Sequence, residues 1–147
     1  MITLTLFSCE SKKSMESLSG TTFPVAGTWI LVSGTTIEKG DTQHVDYTKN
    51  QTFIKIINET HFSFLRHDLK KGKDSIFNIF ASGGGKYTLK GDQYTEHLEY
   101  CNYREWEGHS FDFTITLQND TLTQKGIEKI DSLGIDRVNI EKYVRSK

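Results

Sequence analysis

The run Tyr94–Tyr100 sets a carboxylate, Glu96, beside an imidazole, His97, with a phenol, Tyr94, two residues upstream. Those groups are the ordinary components of general acid–base catalysis. Their spacing works against it. In an extended chain adjacent side chains point to opposite faces, so Tyr94 and Glu96 share a face that His97 does not. The other histidines are His44, His61, His67 and His109. His61 and His67 share a parity but lie six residues apart, about 20 Å along a strand, too far to share a metal. His97 and His109 could approach across a hairpin, where surface placement is the simpler reading. Three glycines precede a lysine in ASGGGKYT, residues 81–88. A strand-like run follows that lysine, whereas a phosphate cradle needs a helix N-terminus, so the segment reads as a turn between strands. No nucleophile elbow, P-loop, zinc-binding helix or paired-cysteine motif occurs. The expectation is a non-enzyme with no catalytic residue, metal or cofactor. A haem-binding barrel with a histidine axial ligand, or a small-barrel enzyme, is the alternative.

The residues that could do chemistry must be held by elements, and composition limits which. A chain of 147 residues with net charge −1 and both signs interspersed has no basic stripe, which argues against a nucleic-acid partner. No run of 18 apolar residues exists to span a membrane as a helix. Aromatic residues are abundant at 12%, with nine Phe and six Tyr. The opening MITLTLFSC has the form of the end of a bacterial lipoprotein signal, with Leu6-Phe7-Ser8-Cys9 as the lipobox. Its apolar run is short and lacks a basic leader; a start codon assigned too far downstream explains both. Residues 1–9 are therefore a signal remnant ending at the lipidated Cys9. Residues 10–23, rich in Ser, Lys, Glu and Thr, form a flexible tether. With Cys9 acylated, Cys101 has no disulfide partner and reads as a small buried group. The expected location is the bacterial cell envelope, on the periplasmic or surface side, with the membrane reached through the lipid anchor only.

From Pro24 the chain reads strand after strand. TWILVSGTTIEK opens the series. Residues 52–58 and 61–69 form a hairpin, 75–82 add a strand, and 86–103 form a hairpin over Gly91-Asp92. SFDFTITLQ and DTLTQKG pair over Asn119-Asp120, and residues 135–145 close the chain. Ile127, Ile130 and Leu133, at i, i+3 and i+6, suggest one helical turn before the last strand. The interval KGDTQHVDYTKN is polar without helical period. About eight to nine strands, each with its turn signal, predict an all-β, up-and-down antiparallel barrel over 24–147. Asn50, Asn58 and Asn119 begin N-x-S/T triplets at strand ends, which turn chemistry explains.

A G-x-W at the start of the first strand (Gly27, Trp29), about eight antiparallel strands and an arginine on the last strand resemble the lipocalin, or calycin, pattern. GGGKYTLKGDQYTEHLEYC is similar to small lipocalin-like lipoproteins of unknown function from Bacteroidetes-type bacteria. The resemblance implies that Trp29 sits at the closed end of the barrel under a late arginine, Arg137 or Arg145, with Arg137 preferred. It departs from the fatty-acid-binding relatives in two ways. No helical lid pattern follows the first strand, and Tyr143-Val144-Arg145 reverses their R-x-Y order, so a fatty acid is not supported.

Alternation sorts the strands into faces. Phe62, Phe64 and Arg66 share one, Tyr94, Glu96, Leu98 and Tyr100 another, and Phe111, Phe113, Ile115 and Leu117 a third; these are assigned to the interior. On the last strand, Arg137, Asn139, Glu141, Tyr143 and Arg145 alternate with Val138, Ile140 and Val144, and either set fits inside. Trp106 fits the barrel mouth or the outer wall equally. The expected ligand-binding set is Trp29, Phe62, Phe64, Arg66, Tyr94, Glu96, Tyr100, Phe111, Phe113, Arg137 and Tyr143. The implied function is a membrane-tethered carrier or sensor of a small, mostly apolar or amphipathic molecule. A filled barrel, acting through its surface on an envelope protein partner, is the competing reading. A lumen cavity of about 300 Å³ or more, the lower end for ligand pockets, favours the carrier.

Overall fold

Two-residue turns at Lys39-Gly40, Gly91-Asp92 and Asn119-Asp120 set three of the strand registers. The computed structural model describes residues 24–73 and 76–147. Among these residues nine strands form one antiparallel sheet: β1 (Gly27–Glu38), β2 (Asp41–Asp46), β3 (Gln51–Ile57), β4 (His61–Asp68), β5 (Phe80–Lys90), β6 (Gln93–Cys101), β7 (Ser110–Gln118), β8 (Thr121–Ile130) and β9 (Ile135–Arg145). Each strand from β3 to β9 pairs with the next, and β1 pairs with both β9 and β3, which closes an eight-stranded up-and-down antiparallel barrel. The lower half of β1, residues 27–30, pairs with β3, while its upper half, residues 33–38, pairs with β2 as a ninth strand.

β2 was not expected. Every one of its side chains is exposed, so it carries no alternation to read. Lys39 and Gly40 both hold positive φ, 51° and 87°, the geometry of a tight hairpin turn. Asn58 shows the turn chemistry expected of it: its Oδ1 accepts the amides of Thr60 and His61 at 2.9 and 2.8 Å.

Three other expectations fail for identifiable reasons. Residues 76–79 are not a strand, and β5 begins at Phe80. Gly83–Gly85 lie inside β5 rather than in a turn. A side chain at Gly83 would stand 2.6 Å from the Phe64 ring, and one at Gly85 would run into the His97 carbonyl. These glycines permit close approach, which a sequence pattern alone reads as a turn. Finally, residues 126–130 continue β8; only Asp131–Leu133 make a 3-10 turn. Ile127 is exposed and Ile130 buried, which at this spacing is a strand with a period of two.

The floor of the barrel is solid. Trp29 is fully buried and its indole N–H donates to the Val25 carbonyl at 2.8 Å. The arginine over its ring is Arg145, with Cζ 4.1 Å from the ring centroid, and not the preferred Arg137. The register explains the correction: Trp29 stands opposite Arg145, and Arg137 is eight residues up β9, roughly 26 Å away. Arg145 also donates to the carbonyls of Ala26 and Pro24 at 2.8 and 3.0 Å, locking the entering chain across the barrel end. Above the indole, Val25, Ile57, Tyr94, Ile115 and Leu122 leave no space for a water-sized probe.

The Arg145 side chain is 32% exposed, so its cation–π contact contributes about 0.5–1 kcal/mol, and charged hydrogen bonds to carbonyls add about 1.5–3 kcal/mol. Arg145→Met is expected to lower the unfolding free energy by about 2–4 kcal/mol in urea denaturation. A loss below about 0.5 kcal/mol would show that the arginine does not hold the closed end.

Candidate functional site

β3 carries the residue around which the lumen is organised. In Thr52–Ile57 both parities are apolar, so the pattern does not say which face turns inward. The structure turns Gln51, Phe53, Lys55 and Ile57 in, and Lys55 is only 2% exposed. Its ammonium donates to Glu96 Oε1 at 2.7 Å and to Gln124 Oε1 at 3.0 Å, and lies 3.9 Å from Glu141 Oε2. It also sits over the rings of Tyr143 and Phe62, 5.2 and 5.8 Å from their centroids. Four strands, β3, β6, β8 and β9, thus converge on one buried charge.

The polar set of β9 faces the lumen. Tyr143 donates to Glu141 Oε2 at 2.6 Å. Further up, Glu128 of β8 accepts Arg137 Nε at 2.7 Å on one oxygen and Asn139 Nδ2 at 2.9 Å on the other. Arg137 stacks on Trp106, with Cζ 5.5 Å from the ring centroid. Burial pushes the ionisation of Glu128 above the ordinary carboxyl value, with Arg137 opposing and Glu141 assisting the rise. Burial likewise raises the phenols of Tyr143 and Tyr94, each further disfavoured by a nearby carboxylate, Glu141 and Glu96. Tyr94 Oη is the one buried side-chain polar atom without a hydrogen-bond partner among the described residues.

Between this polar tier and the barrel rim lies a cavity of about 180 Å³, partly open to solvent. Phe53, Phe64, Phe111, Phe113, Tyr143 and Trp106 supply its aromatic walls, and Lys55, Gln124, Glu96, Glu128 and Glu141 its polar groups. Trp106, from the turn between β6 and β7, therefore lies at the mouth, with its ring 5.9 Å from that of Phe111. The volume falls short of the 300 Å³ lower end of ordinary ligand pockets, yet exceeds the roughly 150 Å³ that holds a benzene ring. None of the histidines borders the cavity.

Of the residues singled out in the sequence, Phe64, Glu96, Phe111, Phe113 and Tyr143 line the cavity. Trp29 and Tyr94 belong to the solid floor, and Phe62 is buried beneath Lys55. Arg66 turns away to donate to Gln51 Oε1 at 2.8 Å and to stack on Tyr47, 5.0 Å from the ring centroid. Arg137 borders the rim through Trp106 and Glu128. Tyr100 is on the outer wall, 69% exposed. A β-bulge explains it: Gly84 faces Tyr100 but Gly85 faces Leu98, so Glu99 is an extra residue that inverts the parity beyond it. Cys101 takes the inward position, buried as expected, with its thiol raised by that burial. Sequence reasoning missed Lys55, Gln124 and Glu128. Lys55 shares its parity with Phe53 and Ile57, the one available signal.

No protein-family model matches the chain, and no curated protein matches it. Among solved structures, one titled as a mutant of the fluorescent protein UnaG is similar, at 10% identity over 84% of this chain and 97% of that one, with a TM-score of 0.39. At that score the likeness adds nothing to the topology described above.

Removing one partner of a buried ion pair leaves the other uncompensated and costs about 3–5 kcal/mol. Lys55→Met is expected to destabilise by that amount, and Lys55→Met with Glu96→Gln to recover most of it. Additive losses in the double variant would show that the two groups are not coupled. Glu128 has a separate pH signature. Its folded-state value is raised, so its stabilisation is full below the ordinary carboxyl value and is lost as pH rises through the raised one. Urea midpoints from pH 4 to 8 are expected to fall less steeply in Glu128→Gln than in the unaltered chain; parallel profiles would contradict this.

Proposed function

We propose that the protein is a lipocalin-like carrier or sensor that holds one small, mostly apolar molecule in the upper half of its barrel and performs no catalysis. The cavity of about 180 Å³ carries this reading. Aromatic walls give an apolar body somewhere to pack, and a few convergent polar groups orient it, which is how small-molecule sites are built. Its size suits a ligand on the order of one substituted ring. A porphyrin is several times larger, and with no histidine at the walls the haem reading has no geometric support.

The membrane tether belongs to the same proposal. It rests on the lipobox ending at Cys9 and on the polar spacer 10–23, both outside the described residues. Acylation at Cys9 would hold the barrel at the surface of a bacterial envelope membrane, since two or three acyl chains make a stable anchor. A second reading, an accessory envelope protein acting through its surface, draws support from the outward apolar side chains Ile30, Ile56 and Leu65, all more than a third exposed.

Native mass spectrometry of the protein purified from its own host tests the carrier reading. A non-covalent adduct the size of a small ring compound is expected. A bare chain, together with no uptake of small aromatic probes, would leave the surface reading in its place. Cys9→Ser is expected to move the protein from the membrane fraction to the soluble one; retention on the membrane would rule out the acyl tether.

A further inference from the structure

The hydrogen-bond inventory of the cavity limits what can enter it, and this inference rests on the small-molecule reading above. Lys55 has three N–H groups; two are hydrogen-bonded, to Glu96 and Gln124 at 2.7 and 3.0 Å, and Glu141 stands at ion-pair distance, 3.9 Å. Its charge is already balanced by the carboxylates around it. The Tyr143 hydroxyl is spent on Glu141, and Arg137 and Asn139 are spent on Glu128. The acceptors are not exhausted. Lys55 engages one oxygen of Glu96, and Lys55 and Tyr143 engage the same oxygen of Glu141. The second oxygen of Glu141 accepts no hydrogen bond from the described residues, Glu96 has the Tyr94 hydroxyl beside it, and both residues line the cavity.

Charge points the same way. Arg137 neutralises Glu128 at 2.6 Å. One ammonium, Lys55, then faces two carboxylates, Glu96 and Glu141. Arg66, the remaining cation of the upper barrel, is directed to Gln51 and the Tyr47 ring and does not line the cavity. The polar floor of the cavity is therefore an acceptor site with one negative charge in excess. Around it stand Phe53, Phe64, Phe111, Phe113 and Trp106, whose ring faces attract a cation. A carboxylate ligand would meet two like charges and a single lysine already paired with both of them.

We propose that the cavity selects a small aromatic or aliphatic monoamine in its ammonium form, with the ammonium hydrogen-bonded to the free oxygen of Glu141, the charge of Glu96 beside it, and the apolar body among the phenylalanines. Glu141 is the discriminating residue, because Lys55 is held more closely by Glu96 and Gln124 and stays paired without it. Glu141→Gln keeps the side-chain volume and an acceptor for Tyr143 while removing the excess charge.

Benzylamine, benzyl alcohol and benzoate, similar in size and different in charge, serve as probes. Each is titrated into the full chain at pH 7, followed by ligand-observed NMR and by Trp106 fluorescence. Benzylamine is expected to bind at least tenfold more tightly than benzoate and several-fold more tightly than benzyl alcohol. In Glu141→Gln the amine preference should fall by tenfold or more while benzyl alcohol affinity stays within about twofold. Glu96→Gln, read the same way, replaces it should that variant fail to fold. Equal binding of the three probes, or tighter binding of benzoate, overturns the amine assignment and leaves the small-molecule reading standing. Binding of none of them overturns both.

Discussion

A buried ammonium cannot remain charged in an apolar lumen without carboxylates close to it, and the Lys55–Glu96 contact at 2.7 Å supplies the nearest. The interior arrangement follows from that constraint. Bringing Lys55 inward fixes the facing of β3, whose two parities are otherwise both apolar. Bringing Glu96 inward fixes β6. A second hydrogen bond of the ammonium draws in Gln124 of β8, and its charge draws in Glu141 of β9. β9 then turns its polar set to the lumen, although Val138, Ile140 and Val144 are available on the other face. A purely hydrophobic ranking would invert that strand. Desolvating a charge costs several kcal/mol unless it is paired, and inversion would also break the Tyr143–Glu141 and Arg137–Glu128–Asn139 hydrogen bonds.

The lumen divides at this tier. Below it the barrel is closed by Trp29 under Arg145 and packed without voids. Above it the barrel is hollow. The choice between a filled and an empty barrel is thus settled by height along the axis rather than for the barrel as a whole. Eight strands enclose a lumen just wide enough for side chains to fill or for one small ligand; here the lower half is filled and the upper half keeps a cavity of about 180 Å³.

The all-β meander, the closed barrel, the last strand and most turns were legible in the sequence because they rest on local signals. Gly91-Asp92 and Asn119-Asp120 mark two-residue turns, and the alternation of Phe111, Phe113, Ile115 and Leu117 gives the facing of β7. The failures cluster where local signals are silent or misleading. β2 has no buried side chain, so it has no period. Gly83–Gly85 resemble a turn, but their absent side chains make room for Phe64 and for the bulge opposite. That bulge at Glu99 inverts parity within one strand, turning Tyr100 out and Cys101 in. Lys55 was hidden between Ile54 and Ile56. The choice of Arg145 over Arg137 depended on inter-strand register, which no single strand contains.

The hollow persists because its floor is polar. Apolar side chains long enough to reach across the upper barrel would have to cover the carboxylates of Glu96 and Glu141 without offering hydrogen bonds, and burying such groups without added partners is costly. The phenylalanines instead stand around the tier as walls, and Trp106 with Arg137 edges the rim. The same carboxylates that allow Lys55 to be buried thereby keep the space above it from collapsing. The buried ion pair and the cavity above it are two consequences of one charge placed inside the barrel.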